Sequence, residues 1–587
     1  GALAALGFAA LALVPPAEPV HLLHATPLEP KLALRPVVFS AVGESSTVLV
    51  TRDELGRYRI RNNGLPESLV VASEADFDVG ASARWIGGLV SLVRPEAKSV
   101  AVIGLGGGLS AEGIPRSVSE IHVIELEPEV VRANRTLSPL RAVDPLADPR
   151  VQLHENDARG ALLLSGTRFD GIVAQASHPW TAGASHLYSR EFFELVRSRL
   201  APGGVFVQWM GPAFIDEPLL ASLIATVRVV WPEVRVYGPH GALLFVASDA
   251  TLASAEESVP ALLARDPETL ARLGVLSPSH LDAWLRLDEA GAAAFAQGAP
   301  VITDDRNLLQ MRSPYVVSAG SALSQKPSAR LAQLAPAQRL SQRALVEHIA
   351  RALELGAPGR VRDLTPRVAD PRERAALSAG AALARGERAF AERQLVRALA
   401  KDPHHARTRA LALRIQWRYG ATEALAAALA QGDAGAAERA VSAGLAAEAA
   451  GDWSALAALD AALAGAGATD PFHLDAALLR AAWRVRSAAA AERAQARSLL
   501  TGVLVTSAGA TQARLLLAEL DRADPVRCAV PLLRIAGDRA TPPLTTREAS
   551  EIAALATSLP ADAEELMNAR ARILAYLDRA PRVPRRK

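Results

Sequence analysis

The stretch that decides the fold is Ser99–Glu127, SVAVIGLGGGLSAEGIPRSVSEIHVIELE. Its pattern predicts an apolar strand, a glycine-rich loop, a helix and a second apolar strand that ends in a carboxylate. Glycine has no Cβ, so a glycine-rich loop can turn tightly and bring its backbone close to a ligand. Ligands of open α/β sheets bind at the carboxyl ends of the strands. The stretch therefore predicts a nucleoside-binding α/β unit.

Two predicted strands within this stretch, Val100–Ile103 and Ile121–Ile124, place the candidate ligand contacts. Glu125 ends the second strand, where a carboxylate can accept hydrogen bonds from both ribose hydroxyls. The glycine contacts proposed for the nucleoside are Gly104, Gly106 and Gly108. A loop glycine can also serve a tight turn alone. The dinucleotide fingerprint G-x-G-x-x-G has Leu109 at its third glycine position here, which disfavours a nicotinamide cofactor.

Two more strands are predicted downstream, Val151–His154 and Phe169–Ala174. Asp157 follows the first of them and could accept a hydrogen bond from an adenine amino group. It also precedes the helical run Ala158–Leu164, so it could equally cap that helix. The second strand leads into Gln175, at the expected mouth of a site.

These motifs, in this order, resemble the spermidine synthases, or polyamine aminopropyltransferases, and in particular a bacterial membrane-fused branch of that family. The resemblance runs from about Val38 to Pro314. It rests on these stretches: GESSTVLVTRD (Gly43–Asp53), RIRNNGLPES (Arg59–Ser68), VIGLGGG (Val102–Gly108), VIELEPEVV (Val123–Val131), DPRVQLHENDAR (Asp148–Arg159), SHPWTAGASHLYSREFFELVRSRLAPGGVFVQWM (Ser177–Met210) and ITDDRNLLQMRSP (Ile302–Pro314).

The resemblance implies a Rossmann-like α/β sheet of the S-adenosylmethionine-methyltransferase type, with a small N-terminal β-region that helps to cover the amine end of the site. It implies transfer of an aminopropyl group from decarboxylated S-adenosylmethionine to a polyamine, which leaves methylthioadenosine. It implies a nucleoside co-substrate and no metal.

The chain departs from the family pattern at three acidic positions. The acid of the family's glycine loop aligns with Gly107, and two further acids align with Gln175 and His178. Gln175 can hydrogen-bond an amine but cannot accept its proton. His178 could act as a base near neutral pH, although a histidine before a proline turn is more often a surface residue. Gln175 and His178 are the candidate catalytic residues.

Other residues near the predicted site could compensate for the lost acids or form its walls. The possible substitute acids, which could also be solvated surface, are Glu74, Asp76, Asp78, Asp216 and Glu217. The possible aromatic or imidazole walls, which could also be core, are Trp180, Trp209, His186 and Tyr188. Thr303–Asp305 matches a family motif and predicts a turn before a last strand, Leu308–Met311.

Three functions remain open on this basis. The first is aminopropyl transfer with rearranged acids. The second is methyl transfer from S-adenosylmethionine, which uses the same fold and needs no acid at Gly107. The third is a domain that binds a nucleoside without turnover, as a sensor or scaffold. Fold alone does not choose among them.

The composition is that of a large folded chain. It has 587 residues, enough for roughly three or four domains, 50% hydrophobic residues and a formal net charge of +2. Aromatic residues make up 4% and no basic stripe is present, which argues against nucleic acid as a partner. Cys528 is the only cysteine, so an intramolecular disulfide and a cysteine-based zinc site are excluded, as is typical of a reducing compartment.

The predicted domains begin with residues 1–35, which would contain the end of a transmembrane helix. Gly1–Val14 is apolar but shorter than the ~20 residues that a span needs, so a signal-peptide remainder or a buried helix are alternatives. The resemblance to the membrane-fused branch favours the first, with the chain at the cytoplasmic face of the inner membrane, or else in the cytoplasm. A small β-domain follows over 36–95, with strands at Thr47–Val50 and Tyr58–Arg61, and the nucleoside-binding domain covers 96–315.

After a linker over 316–331, residues 332–587 become rich in alanine and leucine with helical spacing, which predicts an all-α repeat domain. Two stretches, Arg385–Pro403 and Gly451–Pro471, resemble tetratricopeptide-type helical pairs. Stacked pairs usually offer a protein-binding surface, so a protein partner is predicted there. A plain helical bundle is the alternative.

Overall fold

The computed structural model describes residue 23 and residues 35–587, except 54–55, 74–75, 78, 176–177, 182, 320–326, 421, 507–510, 538–543, 561–562, 581 and 584–587. The apolar stretch Gly1–Val14 lies outside the described residues.

A four-stranded antiparallel sheet comes first in the chain. Its strands pair in chain order, β1 (Val37–Val42), β2 (Thr47–Arg52), β3 (Tyr58–Asn62) and β4 (Leu65–Val70). The two strands predicted in this region correspond to β2 and β3. They form because short β-branched or alternating segments are separated by turns that suit a hairpin.

An eight-stranded mixed sheet forms the centre of the α/β domain. Its strands are β5 (Ser99–Ile103), β6 (Glu120–Glu125), β7 (Val151–Glu155), β8 (Phe169–Ala174), β9 (Leu200–Met210), β10 (Glu233–Tyr237), β11 (Leu243–Ser248) and β12 (Leu285–Leu287). Their order across the sheet is β12-β10-β11-β9-β8-β5-β6-β7, with β5 to β9 parallel and the rest antiparallel. The predicted Rossmann-like fold class is confirmed. The strand order reverses at β5, where such sheets bind ligands.

The central sheet is buried on both faces. Successive side chains of a strand point to opposite sides, so each strand contributes residues to two apolar cores, one on each face. Val100 and Val102 of β5 join one apolar core, while Ala101 and Ile103 join the other. The helices of this domain are Ala81–Val93, Leu109–Glu112, Pro128–Leu137, Ala158–Leu164, Arg190–Arg199, Glu217–Val230, Ala255–Arg265, Pro267–Leu273, Pro278–Trp284, Glu289–Ala296 and Leu308–Ser318.

One predicted strand is wrong. Leu308–Met311 begins the helix Leu308–Ser318, and the Asn307 side chain caps that helix by accepting a hydrogen bond from Gln310 N at 3.0 Å. A four-residue apolar run fits a buried strand and a helix equally well, so the periodicity of the sequence could not separate the two.

The C-terminal half is helical, as predicted. Its helices are Pro327–Leu334, Gln342–Glu354, Pro358–Leu364, Pro371–Ala384, Arg388–Leu399, Ala406–Tyr419, Glu423–Leu429, Ala436–Ala450, Trp453–Ala458, Asp460–Ala464, His473–Val485, Ala490–Thr506, Thr511–Leu520, Pro525–Gly537, Thr546–Thr557 and Glu564–Arg579, with a small parallel pairing of Leu544–Thr545 and Arg582–Val583. Of the two stretches that resembled tetratricopeptide pairs, Arg385–Pro403 contains one helix, and Gly451–Pro471 contains two short ones, Trp453–Ala458 and Asp460–Ala464. Arg385–Pro403 contains Arg388–Leu399, which packs on the preceding helix Pro371–Ala384.

The prediction of a location at the membrane is wrong for the part of the chain that the structure describes. There, no helix is both long enough and apolar enough to cross a bilayer. The stretch that suggested a membrane segment, Gly1–Val14, is outside that part.

Candidate active site

A cavity of about 450 Å³ lies at the carboxyl ends of β5 to β9 and beneath the N-terminal sheet. The central sheet contributes the glycine loop and the residues that follow each strand, and the small sheet contributes the turn after β1 and much of β4. The residues used below that line it are Glu67, Gly104, Gly106, Glu125, Glu127, Asp157, Arg159, Gln175, His178, Trp209 and Phe214. The cavity therefore brings together most of the residues predicted from the sequence.

The glycine loop has a backbone that other residues rarely adopt. Gly104, Gly106 and Gly108 have φ values of 88°, 51° and 80°. A Cβ at Gly104 would lie 3.1 Å from the carbonyl oxygen of Gln175, so this turn also brings the ends of β5 and β8 together. Gly104 and Gly106 line the cavity, whereas Gly108 precedes the helix Leu109–Glu112.

A buried polar network beneath the loop fixes its carbonyl groups. Asn134 Nδ2 donates to Gly106 O at 2.7 Å, and Arg141 Nη2 donates to Gly107 O at 2.5 Å. Glu112 pairs with both Arg141 and Arg84, at 3.1 and 3.0 Å, which balances the two buried cations. The loop is thus held in shape by the protein alone.

Glu125 stands at the end of β6, as predicted, and its carboxylate is turned toward the loop. One oxygen accepts from Leu105 N at 2.8 Å and the other accepts from Glu127 N at 3.0 Å. Burial raises the pKa of Glu125, and the backbone hydrogen bonds act in the opposite direction. The carboxylate is positioned at the cavity wall.

Asp157 caps the helix Ala158–Leu164 by accepting a hydrogen bond from Gly160 N at 2.7 Å, and it also lines the cavity. The two roles considered for it are therefore compatible. Arg159, two residues on, is held by Asp304 through two hydrogen bonds of 2.8 Å. Burial alone would raise the pKa of Asp304, but Arg159 and Ser189 lower it to about 2. Asp304 of the Thr303–Asp305 motif thus holds the guanidinium of Arg159 at the cavity.

Gly107 shows why the loop carries no acid. A Cβ at this position would lie 2.1 Å from the carbonyl oxygen of Leu69 on β4. No side chain fits there, because the N-terminal sheet packs directly on the loop. The position that the resemblance aligns with an acid is occupied here by the backbone of β4.

His178 is buried, with 4% of its surface exposed, so the expectation of a surface histidine is wrong. Its Nδ1 lies 3.2 Å from Oε1 of Glu67 on β4, and its ring packs against Trp180 and Phe214 with centroid distances of 4.9 and 5.1 Å. Gln175 also has a partner, since its Oε1 accepts a hydrogen bond from Ser110 Oγ at 2.8 Å.

Among the residues that were suggested as walls or substitute acids and that the structure describes, only Trp209 lines the cavity. Trp180, His186 and Tyr188 are absent from its lining. None of the three described substitute acids lines it either: Asp76 pairs with Arg534 at 2.8 Å, Asp216 pairs with Arg312, and Glu217 lies 3.4 Å from Arg330. Glu74 and Asp78 lie outside the described residues. The described acids of this set therefore supply no carboxylate to the cavity.

Sequence reasoning missed Glu67, Arg159 and Phe214 as site residues. Glu67 lies in a segment whose pattern did not single it out, although a carboxylate in a sheet expected to cover the amine end of the site is a usable signal. Among the described residues, no three histidine, cysteine, aspartate or glutamate side chains are grouped as metal ligands would be.

Comparison with known proteins finds matches to this α/β domain. Residues 81–238 match the family model of the spermine/spermidine synthase domain. A polyamine aminopropyltransferase of Mycobacterium tuberculosis is 35% identical over 162 residues, which cover 26% of this chain and 30% of the relative. A polyamine aminopropyltransferase of Nitrosomonas europaea is 30% identical over 151 residues, which cover 25% of this chain and 46% of the relative.

The chain thus spans less than half the length of these two relatives. Among solved structures, a probable spermidine synthase from Corynebacterium glutamicum is 24% identical, with 46% of this chain and 97% of that chain covered and a TM-score of 0.34. The family match, over residues 81–238, lies within the α/β domain.

Proposed function

We propose that the α/β domain binds decarboxylated S-adenosylmethionine and transfers its aminopropyl group to an amine. The observation that carries the proposal is the cavity at the carboxyl ends of β5 to β9, where Gly106, Glu125 and Asp157 meet Gln175 and His178. The domain match and the aminopropyltransferase relatives support the same reaction class.

The nucleoside would lie along the glycine loop. Its ribose hydroxyls would donate to Glu125, and its adenine amino group would donate to Asp157. The aminopropyl end would then extend toward Gln175, which Ser110 orients through a 2.8 Å hydrogen bond. The acceptor amine would enter between Gln175 and the aromatic wall formed by Trp209 and Phe214.

Methyl transfer from S-adenosylmethionine is the second candidate. It is favoured by the absence of acids at Gly107, Gln175 and His178, since the ammonium of S-adenosylmethionine is already balanced by its own carboxylate and needs no further counter-charge. Nucleoside binding without turnover is the third candidate.

Calorimetry on the full chain separates the two transfer reactions. Decarboxylated S-adenosylmethionine, S-adenosylmethionine and methylthioadenosine would be titrated in parallel. Tight binding of the first and third with rejection of the second supports aminopropyl transfer. A preference for S-adenosylmethionine moves the assignment to methyl transfer, and no binding of any of them contradicts all three candidates.

The ribose contact has its own test. Glu125→Ala removes an acceptor of two hydrogen bonds to a charged group, each worth about 1.5–3 kcal/mol, so methylthioadenosine should bind at least ~100-fold more weakly. Glu120→Ala, at the amino end of the same strand and exposed, is the matched control and should bind as the unaltered chain does. Equal affinity of the two variants would refute the assignment.

A further inference from the structure

The buried pair Glu67–His178 joins two elements that the sequence keeps 111 residues apart. Glu67 belongs to the N-terminal sheet, and His178 follows β8 at the base of the cavity. Both side chains line the cavity, and their exposed fractions are only 14% and 5%. A carboxylate and an imidazole are thus held together at the end of the cavity where Gln175 also lies.

The contact defines which ring nitrogen of His178 can accept a proton. A carboxylate only accepts hydrogen bonds, so Nδ1 of the neutral imidazole carries the hydrogen that faces Glu67. The other nitrogen, Nε2, forms no hydrogen bond with any residue that the structure describes, and it keeps accessible surface. Packing against Trp180 and Phe214 fixes the plane of the ring. This arrangement leaves Nε2 as the proton acceptor.

We propose that Glu67 and His178 act as a carboxylate–imidazole pair in which His178 removes the proton of an acceptor amine that carries little positive charge. The inference rests on the proposed aminopropyl transfer and adds the base and the acceptor class to it. His178 is the catalytic residue, and Glu67 is the positioning residue that orients it and stabilises its charged form.

The proposed step balances as a displacement at carbon. The ammonium of the acceptor gives a proton to Nε2 of His178, and its nitrogen lone pair forms a new N–C bond to the methylene carbon next to the sulfonium. The C–S bond breaks, and its electron pair returns to sulfur to give neutral methylthioadenosine. The imidazolium that results lies beside the Glu67 carboxylate, which offsets its charge.

The acceptor class follows from the count of carboxylates in the cavity. Those in the described lining are Glu67, Glu125, Glu127 and Asp157. Glu125 and Asp157 lie in the nucleoside half, and Glu127 accepts hydrogen bonds from Ser45 N and Ser46 N, each of 2.9 Å. Glu67 is then the acid at the acceptor end, and its charge is shared with His178. A polyamine with several ammonium groups would lack counter-charges, whereas a monoamine would not.

The first test observes the contact between Glu67 and His178 directly and needs no enzymatic turnover. Histidine ring nitrogens of the 15N-labelled full chain would be observed by NMR, with the His178 signals assigned by their loss in His178→Gln. We expect the Nδ1–H tautomer in the unaltered chain and a loss of that preference in Glu67→Gln, because an amide can donate a hydrogen bond to Nδ1 as well as accept one from it. Identical His178 signals in the two chains would overturn the pair.

The second test measures methylthioadenosine release from decarboxylated S-adenosylmethionine with n-butylamine, putrescine and spermidine. Removal of a general base costs ~100-fold or more, so His178→Gln and Glu67→Gln should each lose at least that much kcat/KM for the amine. Calorimetry with methylthioadenosine should show unchanged nucleoside binding in both, which also establishes that they fold. The exposed substitutions His404→Gln and Glu194→Gln are the matched controls.

The outcomes separate the inference from the proposed function. Turnover in the unaltered chain with full activity in both variants overturns the inference and leaves aminopropyl transfer standing. No turnover with any amine, while the NMR pair is intact, refutes aminopropyl transfer and with it the base. A preference for spermidine over n-butylamine refutes the acceptor class.

Discussion

At the residue scale, the absent loop acid is a steric consequence of how the N-terminal sheet packs. In the sequence, Gly107 stands where the resemblance leads one to expect an acidic residue. In the structure it is the position where the carbonyl of Leu69 approaches too closely for any Cβ. Leu69, which approaches Gly107, and Glu67, which lines the cavity, lie on the same strand, β4.

Gly107→Ala tests this account. Its Cβ would overlap the Leu69 carbonyl at 2.1 Å and force β4 away from the loop, at a cost of about 1–3 kcal/mol in the free energy of unfolding. Denaturant unfolding and methylthioadenosine binding would both be measured. Gly166→Ala is the control, because nothing lies within 4 Å of its Cβ. If both variants behave alike, the close approach of β4 is refuted.

At the element scale, the side chain of Glu127 binds the turn between β1 and β2 to the α/β domain. Glu127 Oε2 accepts from Ser45 N and Ser45 Oγ at 2.9 and 2.8 Å, and its other oxygen accepts from Glu129 N at 3.2 Å. Burial alone would raise the pKa of Glu127, but these hydrogen bonds lower it. The carboxylate thus holds the β1–β2 turn of the small sheet beside the cavity and caps the helix Pro128–Leu137.

Glu127→Ala should weaken the attachment of the β1–β2 turn to the α/β domain. It leaves the Ser45 and Ser46 amides without their acceptor, which costs about 1–3 kcal/mol for each buried donor that finds no water. Hydrogen exchange should become faster in β1 and β2 while β5 and β8 stay protected. The exposed Arg135→Gln, on the same helix, should leave exchange in β1 and β2 unchanged. Equal protection of β1 and β2 in the two variants would argue against this role of Glu127.

At the scale of the whole molecule, a buried polar cluster links the helical half to the α/β domain. Glu354, on the helix Gln342–Glu354, pairs with Arg351 at 2.7 Å and with His473 at 3.5 Å. It also lies 3.7 Å from His280 of the α/β domain. Burial alone would raise the pKa of Glu354, but Arg351 and the two histidines lower it to about 2. The carboxylate thus stays charged in the interface.

A pH dependence follows from this shift. The folded pKa of Glu354 is lower than its ordinary value of 4.5, so its stabilisation is complete above that value and is lost as pH falls from 4.5 toward 2. Glu354→Gln should therefore be less stable than the unaltered chain at pH 7, and the gap in thermal midpoint should narrow below pH 4.5. The exposed substitution Asp363→Asn is the control. A gap that stays constant from pH 7 to pH 3.5 would contradict the charge-based link.

The fold was largely predictable because its signals are local. The apolar runs of β5, β6, β7 and β8, the glycine loop and the cap at Asp157 each depend on residues close in sequence, as do the helices of the C-terminal half. The strand predicted at Leu308–Met311 was wrong because a local signal from a short apolar run does not carry enough periodicity to distinguish a strand from a helix. The tetratricopeptide character and partner of the helices, the domain boundaries and the nucleoside contacts stay predictions.

By itself, the sequence determined the α/β core and the placement of Glu125 and Asp157 at strand ends. The tertiary structure alone decided that His178 is buried, that Glu67 lies beside it and that Leu69 fills the space at Gly107. The physical reason is that strand and helix patterns arise from neighbouring residues, whereas the packing of β4 on the loop brings together groups 38 to 111 positions apart, which no local pattern encodes.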